Sequence, residues 1–152
     1  MDAVFKKLNF KGQPTVLVLN APSSFDINLD SISDETKIVK DLKNIESIEF
    51  CMVFATQQKE IDALVPTLAP LLAGDVILWM CYPKGTSKKY KCDFNRDTGW
   101  QILGKFDMEP VRMVAIDEDW SALRFKKVDF IKTMKRSTLG ALSEKGKLKA
   151  KQ

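Results

Sequence analysis

The strictest limit on the fold comes from an unbroken run of apolar and β-branched residues near the N-terminus, Thr15-Val16-Leu17-Val18-Leu19. The run does not alternate between apolar and polar positions, so both faces of the strand that it predicts must be covered by protein. Strands covered on both faces are typical of parallel sheets that carry helices on each side. Breakers at Gly12 and Pro14 precede the run, and the polar turn 20–24 follows it, so the strand has clear limits.

Three further segments are predicted to be strands of the same sheet, residues 37–40, 48–55 and 75–82. The last two are again almost entirely apolar in their central parts, which indicates burial on both faces. Strands of this kind need helical connections if they run parallel to one another. The sequence between and after them must therefore supply helices.

Two helices are predicted from the spacing of apolar residues. The first follows Thr56 as its N-cap, and apolar residues recur at helical spacing from Ile61 to Leu72. Pro66 is expected to kink or split this helix, and Gly74 to mark its end. The second helix is predicted from residue 93, with the aspartate there as its cap, to residue 105.

The last two strands, residues 111–116 and 120–128, are separated only by Asp117-Glu118-Asp119. Three residues are too few to connect parallel strands, so these segments form a hairpin. We therefore predict an α/β fold, a three-layer Rossmann-like sheet that is mostly parallel and has a C-terminal antiparallel hairpin. This combination is characteristic of the methyltransferase-type variant of that sheet. The domain is predicted to span residues 1–128.

The remaining residues, 129–152, form a basic C-terminal extension. Residues 126–152 hold nine Lys or Arg against two Asp or Glu, a net charge of +7, whereas residues 1–125 hold fifteen against eighteen and carry −3. Such a basic segment suits a solubilising tail, a segment that docks on a partner, or an arm that contacts nucleic acid. The charge alone does not choose among these three.

Histidine does not occur in the sequence, which excludes Ser-His-Asp and Cys-His catalysis and His-ligated zinc. Cys51, Cys81 and Cys92 have no Cys-x-x-Cys spacing and cannot form a four-cysteine zinc site. The first two lie in apolar runs and are predicted to be buried thiols. Cys92 lies between Lys91 and Asp93, where neighbouring lysines are expected to lower the thiol pKa. The acidic residues 117–119 are interpreted as turn formers, so no metal site is predicted.

Ligands of doubly wound sheets bind beyond the carboxyl ends of the strands, so the loops at that edge are the candidate site. The loop after the first strand offers the side chains of Asn20, Ser23 and Ser24 to a ligand. It contains no glycine, whereas nucleotide and S-adenosylmethionine sites normally have glycines there so that the backbone can approach the ligand. No cofactor is therefore predicted, and S-adenosylmethionine is a disfavoured alternative.

The loop 83–91 carries four lysines, at positions 84, 88, 89 and 91, around Gly85, Thr86 and Ser87. We expect this loop to attract a phosphate or carboxylate, helped by the N-terminus of the helix predicted to follow. Lys84 is the predicted anion contact, with Asn20, Ser23 and Lys88 as helpers. The alternative is a solvated loop with no ligand. The tryptophans at 79, 100 and 120 have apolar neighbours and are predicted to be core residues.

Three segments of the sequence resemble the bacterial domain-of-unknown-function family 3052: residues 16–22, residues 78–84 and residues 116–125. The resemblance extends from about residue 12 to residue 128. It implies a small methyltransferase-like α/β domain with no established activity, so it assigns no catalytic residue. The resemblance supplies a shortlist of positions that coincide with the family motifs: Asn20, Ala21, Pro22, Pro83, Lys84, Asp117, Trp120 and Ser121. The alternative explanation for these positions is strand-end geometry and packing.

The leading hypothesis is a Rossmann-like domain that binds a small anionic ligand or a protein partner at the carboxyl edge of its sheet. The alternatives are a divergent S-adenosylmethionine-dependent methyltransferase and a protein that contacts nucleic acid through residues 129–152. No apolar run reaches the roughly 18 residues of a membrane span, and the N-terminus lacks the apolar core of a secretion signal. The cytoplasm is the predicted location. Whether the protein is an enzyme, which ligand it takes and how it oligomerises are left open by the sequence.

Overall fold

The computed structural model describes residues 2–131. The strands are β1 (Thr15–Leu19), β2 (Lys37–Val39), β3 (Ile48–Phe54), β4 (Leu72–Pro83), β5 (Met108–Ala115) and β6 (Trp120–Lys127). The α-helices are α1 (Ala3–Lys7), α2 (Asp26–Asp30), α3 (Gln58–Leu68) and α4 (Gln101–Lys105). Short 3₁₀ segments cover Ser23–Phe25, Ala69–Leu71 and Val128–Phe130.

The six strands form one sheet in the order β2-β1-β3-β4-β6-β5. Strands β1 to β4 are parallel, whereas β6 is antiparallel to both of its neighbours, β4 and β5. This arrangement confirms the predicted mostly parallel sheet with a C-terminal antiparallel hairpin. The chain leaves β1 toward β2 on one side and returns to β3 on the other, so β1 and β3 flank the topological switch point.

Alternate residues of each central strand belong to two separate cores. In β1, Val16 and Val18 pack on one side with Phe5 of α1, whereas Leu17 packs on the other side with Ile61 of α3. Both cores consist of buried side chains, so successive residues of the strand are withdrawn from water on opposite faces. Two-sided burial is the physical reason for the unbroken apolar run, since a polar residue on either face would lose its hydration.

The first predicted helix differs from α3 at both ends. Its N-cap is Gln57 rather than Thr56, and the helix is continuous across Pro66 to Leu68. A proline removes one intrahelical hydrogen bond, and Pro66 does so only in the last turn, where the loss does not divide the helix. Gly74 does not end a helix: it lies inside β4 with φ 54°, beside an irregularity in the β3–β4 pairing.

The second predicted helix was too long. Only Gln101–Lys105 is helical, with Trp100 at the N-cap position, so Asp93 does not cap α4. The Asp93 carboxylate instead accepts a hydrogen bond of 2.7 Å from the Gln58 N–H in the first turn of α3. Asp93 is thus a cap of a helix that begins 35 residues earlier in the chain.

Burial continues beyond the predicted domain boundary at residue 128, because Ile131 is buried. The division into residues 1–128 and a basic extension 129–152 remains a prediction, and most of that extension lies outside the described residues. Within residues 2–131, none of the helices has the length and apolar character required to cross a membrane.

Candidate functional site

Asn20 makes the turn at the carboxyl end of β1. Its φ is 61°, a left-handed conformation that is rare for most side chains but several-fold enriched for asparagine. Residues 21 and 22 follow, and the 3₁₀ segment Ser23–Phe25 then leads into α2. The loop therefore obtains from Asn20 a backbone conformation that usually requires glycine. The absence of glycine from the loop after β1 is therefore weaker evidence against a nucleotide or S-adenosylmethionine site than the sequence implied.

Glu60 organises the carboxyl end of β3. One oxygen of its carboxylate, Oε1, accepts hydrogen bonds from the Thr56 N–H at 3.2 Å, the Thr56 hydroxyl at 3.3 Å and the Gln57 N–H at 3.0 Å. These donors include backbone groups at the start of α3 that have no partner inside the helix. In the part of the chain that the structure describes, no hydrogen bond is made by the second oxygen, Oε2.

Trp120 begins β6 and pairs with Pro83, the last residue of β4. Because β6 is antiparallel to β4, the start of β6 lies at the same edge as the ends of the parallel strands. The indole ring contacts Phe54 at 5.2 Å and Tyr90 at 4.9 Å between ring centres. Its Nε1 is buried and has no hydrogen-bond partner among the described residues.

The segment 83–91, which we call the basic loop, is tied down at both ends. At its start, the Lys84 N–H donates to the Asp119 carbonyl at 2.8 Å. Just after its end, the Asp93 N–H donates to the Thr56 carbonyl at 3.2 Å. The loop thus extends along the carboxyl edge from the β5–β6 turn to the start of α3, and Tyr90 lies between these two attachments. An aromatic ring is thereby placed over the strand ends.

The first cavity at this edge has a volume of about 280 Å³, and we call it the β1–β3 cavity. Its walls are the ends of β1 and β3, the start of α3 and two aromatic residues from the basic loop and β6. The lining residues are Asn20, Pro22, Ser23, Phe54, Ala55, Thr56, Glu60, Tyr90 and Trp120. Among these described residues Glu60 is the only charged one.

The second cavity has a volume of about 350 Å³ and lies under the basic loop, so we call it the lysine cavity. It is lined by the end of β4, the basic loop and the segment that follows the loop. The lining residues are Tyr82, Pro83, Lys84, Gly85, Ser87, Tyr90, Lys91, Cys92, Phe94 and Asn95. Tyr90 lines both cavities and therefore forms a wall that they share.

The side chains predicted to form one site are divided between these two cavities. Asn20 and Ser23 line the β1–β3 cavity, and Lys84 lines the lysine cavity. Ser24 and Lys88 are exposed residues of the described chain and line neither cavity. The expected help from a helix N-terminus is also missing, because α4 begins only at Gln101, well after the basic loop.

Glu60, Tyr90 and Trp120 line the first cavity, but sequence reasoning did not select them as ligand contacts. Trp120 was predicted to be a core residue, and it is buried, yet it also lines the cavity. The position of Trp120 could have been predicted from the sequence. A strand that runs antiparallel to the parallel strands begins at the edge where those strands end, and Trp120 is the first residue of such a strand. Tyr90 carried no such signal, because its place depends on the two attachments of the basic loop.

The three cysteines are free thiols. Cys51 and Cys81 are buried, as predicted, and burial raises the pKa of both thiols. Cys92 is half-buried and lines the lysine cavity. Burial also raises its pKa, which corrects the expectation that neighbouring lysines would lower it. Desolvation of the thiolate is the larger effect, so none of these sites favours a reactive thiolate.

The acidic turn between β5 and β6 is held by its own side chain. Asp117 Oδ1 accepts hydrogen bonds from the N–H groups of Asp119 and Trp120, both at 2.8 Å. A side-chain oxygen that accepts from the backbone two and three residues ahead mimics a backbone turn. Asp117 therefore acts as the turn former that the sequence indicated.

No profile of a known protein family matches the chain, so its resemblance to family 3052 remains a prediction. No curated protein is similar to it in sequence.

The fold, in contrast, is similar to that of several solved structures, among them a methyltransferase. A SAM-dependent methyltransferase from Aquifex aeolicus superposes with a TM-score of 0.57 at 12% identity, covering 81% of this chain and 87% of that one. The pyocyanin biosynthetic protein PhzM gives a TM-score of 0.54 at 11% identity over 82% of this chain and 53% of its own. The fibrillarin pre-rRNA processing protein of Methanococcus jannaschii gives 0.50 at 11% identity, with coverages of 77% and 67%. This chain therefore has a Rossmann-like fold of the methyltransferase type.

Proposed function

We propose that the chain is a divergent S-adenosylmethionine-dependent methyltransferase domain and that its β1–β3 cavity holds the methyl donor. The fold is consistent with this role, but the observation that carries the proposal is the chemistry of the cavity wall. Glu60 is the only charged residue of that wall, and Phe54, Tyr90 and Trp120 contribute aromatic rings. A carboxylate beside aromatic faces favours a ligand that is cationic and partly planar.

S-adenosylmethionine combines those two properties, since it carries a positive sulfonium and a flat adenine ring. Stacking of the adenine on Trp120 or Tyr90 and attraction of the positive charge to Glu60 would use the cavity wall as it stands. Asn20, Ser23 and Thr56 supply hydrogen-bonding groups for the ribose and amino acid portions. An anionic ligand would instead meet the negative charge of Glu60 in this cavity, which disfavours the anion reading for this part of the edge.

The left-handed turn at Asn20 supports the same assignment. A site for a dinucleotide or adenosyl ligand needs the backbone after the first strand to turn sharply and approach the ligand closely. Asn20 makes that turn with φ 61° and lines the cavity itself. Asn20 thus provides the sharp turn that glycine usually makes at this point of the fold.

The volume of about 280 Å³ is slightly below the range of about 300 to 1,000 Å³ that is usual for small-molecule sites. Tyr90 is half-buried and belongs to a loop rather than to a strand, so it is the wall that can move outward. We expect binding to shift Tyr90 away from Trp120, which would change the fluorescence of that indole.

When bound, S-adenosylmethionine supplies a methyl group activated by a sulfonium. The contribution of the protein is then to orient the donor and acceptor and to exclude water from between them. An acceptor that must lose a proton would depend on a group other than imidazole, because the sequence contains no histidine.

Isothermal titration calorimetry with S-adenosylmethionine tests the proposal directly. We expect saturable binding with a Kd of about 1 mM or tighter, and quenching or a shift of tryptophan fluorescence over the same concentrations. Ser23→Trp should fill the cavity and weaken binding by about tenfold or more. Ser24→Trp is the matched control, because Ser24 is also an exposed serine but does not line the cavity.

The proposal is wrong if the wild-type protein gives no heat of binding at millimolar ligand. It is also wrong about the location of the site if Ser23→Trp and Ser24→Trp bind S-adenosylmethionine equally well. Thermal unfolding of both variants must first show that each one is folded.

A further inference from the structure

We propose that the lysine cavity is a second binding site and that its ligand is a small aromatic anion, of the class of aromatic carboxylates. The cavity adjoins the proposed donor site but differs from it in charge and shape. Its ligand is therefore expected to differ as well. Three properties of the cavity carry the assignment: two lysines that make no ion pair within the described residues, an aromatic surface and a limited volume.

The positive charge comes from Lys84 and Lys91, which both line the cavity. No Asp or Glu belongs to the lining among the residues that the structure describes. The ion pairs found between residues 2 and 131 join Arg96 to Asp97 and Lys126 to Asp75, so neither lining lysine has an acidic partner there. Two lysines in the wall of one cavity favour an anionic ligand over a cationic one, since the attraction of the two positive charges adds.

Two carboxylates next to the basic loop accept hydrogen bonds from uncharged groups. Asp93 accepts the Gln58 N–H at 2.7 Å, and Asp119 accepts the Ser87 hydroxyl at 2.8 Å. Both carboxylates therefore serve to fix the ends of the basic loop.

The aromatic surface comes from Tyr82, Tyr90 and Phe94. Tyr82 and Phe94 are almost completely buried, and their rings contact each other at 5.9 Å and both contact Trp100, at 5.6 and 5.1 Å respectively. Rings held in such a cluster present a fixed surface to the cavity. A planar ligand ring gains more from such a surface than a flexible chain does, because it loses little conformational freedom on binding.

The volume of about 350 Å³ suits a single substituted ring and excludes a polymer. Nucleic acid would need a groove that continues across several nucleotides, with rings spaced along it. Asn95 Oδ1 already accepts the Asp97 N–H at 2.8 Å, so the Nδ2 group of the same amide is the donor that this side chain offers to a substituent on the ring. A single small aromatic anion therefore fits the wall better than an oligonucleotide.

Tyr90 connects this site to the proposed donor site, because its ring lines both cavities. The assignment of the aromatic anion as the methyl acceptor rests on the proposed function, whereas binding of the anion to the lysine cavity does not depend on it. Anion binding and S-adenosylmethionine binding can therefore be tested separately.

The experiment measures binding of benzoate to the full chain by calorimetry or by ligand-observed NMR. Benzamide, which has the same ring without the charge, and cyclohexanecarboxylate, which has the charge without the aromatic ring, are measured in parallel. We expect saturable benzoate binding with a Kd of about 1 mM and binding at least about tenfold weaker for each of the other two compounds. If benzamide bound as tightly as benzoate, the proposed role of the negative charge would be wrong. If cyclohexanecarboxylate bound as tightly as benzoate, the proposed role of the aromatic ring would be wrong.

The double variant Lys84→Gln with Lys91→Gln should weaken benzoate binding by about tenfold or more. Lys88→Gln is the matched control, since Lys88 is an exposed residue of the same loop that does not line the cavity. Lys89 is unsuitable as a control, because its Nζ lies 5.6 Å from the centre of the Tyr90 ring. Absence of saturable binding, or an unchanged Kd in the double variant, would overturn the proposal.

Ser23→Trp separates the two proposals. It is expected to weaken S-adenosylmethionine binding by a much larger factor than benzoate binding, because Ser23 lines only the β1–β3 cavity and can affect the lysine cavity only through Tyr90. Benzoate binding in a protein that does not bind S-adenosylmethionine would support the second site and contradict the proposed function. The reverse result would support the proposed function and contradict the second site.

Discussion

Ser87 donates a hydrogen bond of 2.8 Å from its hydroxyl to Asp119 Oδ1, across the gap between the basic loop and the β5–β6 turn. The same hydroxyl oxygen accepts the Tyr90 N–H at 3.1 Å. One side chain thus connects the turn to the residue that forms the wall between the two cavities. The position of Tyr90 depends on this pair of hydrogen bonds.

Ser87→Ala removes both hydrogen bonds without changing the backbone. Each is partly exposed, so we expect the free energy of unfolding to fall by about 1 kcal/mol in total rather than by the full cost of a buried bond. Ligand affinity should fall in both cavities, because both use Tyr90 as a wall. Urea denaturation and calorimetry measure the two effects. Thr86→Ala, at an exposed position next to it, should change neither quantity, and equal behaviour of the two variants would contradict the role of Ser87.

The sheet could be predicted from the sequence because burial on two faces leaves an unmistakable pattern. From Val16 onwards β1 is apolar at every position, as is the later half of β3, and the short acidic connection around Glu118 can only join antiparallel strands. These constraints act within a few residues of the chain. They also place the candidate site at the carboxyl edge, where both cavities are found.

The composition of the site was less accessible, because it depends on contacts between distant polar residues. Asp93 could not be distinguished from a local cap by its neighbours, since its partner Gln58 is 35 positions away. Asn20 likewise shows no glycine-like signal in the sequence although its φ is 61°. A polar side chain has several possible partners of similar energy, and only the packed fold decides among them.

Gly99 is required by a close approach to Phe94, which lines the lysine cavity. Its φ is +89°, and a Cβ at this position would lie 2.8 Å from the Phe94 Cβ. Gly99→Ala is therefore expected to lower the free energy of unfolding by about 1 to 3 kcal/mol, through both backbone strain and a steric clash.

Gly85→Ala is the control for this substitution, because no atom lies within 4 Å of a Cβ built there. It should change the free energy of unfolding by no more than about 0.5 kcal/mol. Urea denaturation of the two variants under the same conditions makes the comparison. A stability loss that is the same for both would show that the contact with Phe94 relaxes without cost.

A comparison of Trp79 with Trp120 measures how much one buried hydrogen bond contributes to the free energy of unfolding. Trp79 is fully buried, and its Nε1–H donates to the Leu8 carbonyl at 2.8 Å, which fastens the segment after α1 to the sheet. The Nε1 of Trp120 is also buried but has no partner among the described residues. Replacement by phenylalanine removes an indole from the core in both cases, but only Trp79→Phe also leaves a buried carbonyl without its donor.

We expect Trp79→Phe to be more destabilising than Trp120→Phe by about 1 to 3 kcal/mol. Chemical denaturation followed by far-UV circular dichroism avoids the loss of tryptophan signal in the variants. If the two substitutions lower the free energy of unfolding by the same amount, the hydrogen bond to Leu8 adds nothing to the stability that the packing of the ring provides.

We predict that the two buried thiols make the free energy of unfolding decrease at alkaline pH. Burial raises the pKa of Cys51 above its ordinary value of 9.0, and the pKa of Cys81 is raised first by burial and further by the nearby Cys51. Below pH 9 both thiols are protonated in the folded and the unfolded chain, so their contribution to stability is fully present. Above pH 9 the unfolded chain loses these protons while the folded chain retains them, and stability falls by about 1.4 kcal/mol per pH unit for each thiol.

Cys51→Ala isolates one of these contributions. The variant is less stable than the wild type at pH 8, because it loses packing around a buried sulfur, but it lacks the titrating group. The stability difference between wild type and variant should therefore shrink by about 1.4 kcal/mol between pH 8 and pH 10, as measured by urea denaturation at each pH. Val53→Ala removes a buried, non-titrating side chain from the same strand, so its stability difference from the wild type should stay constant over this range. A constant difference for Cys51→Ala as well would mean that the Cys51 thiol ionises as readily in the folded protein as in the unfolded chain, contrary to its complete burial in β3.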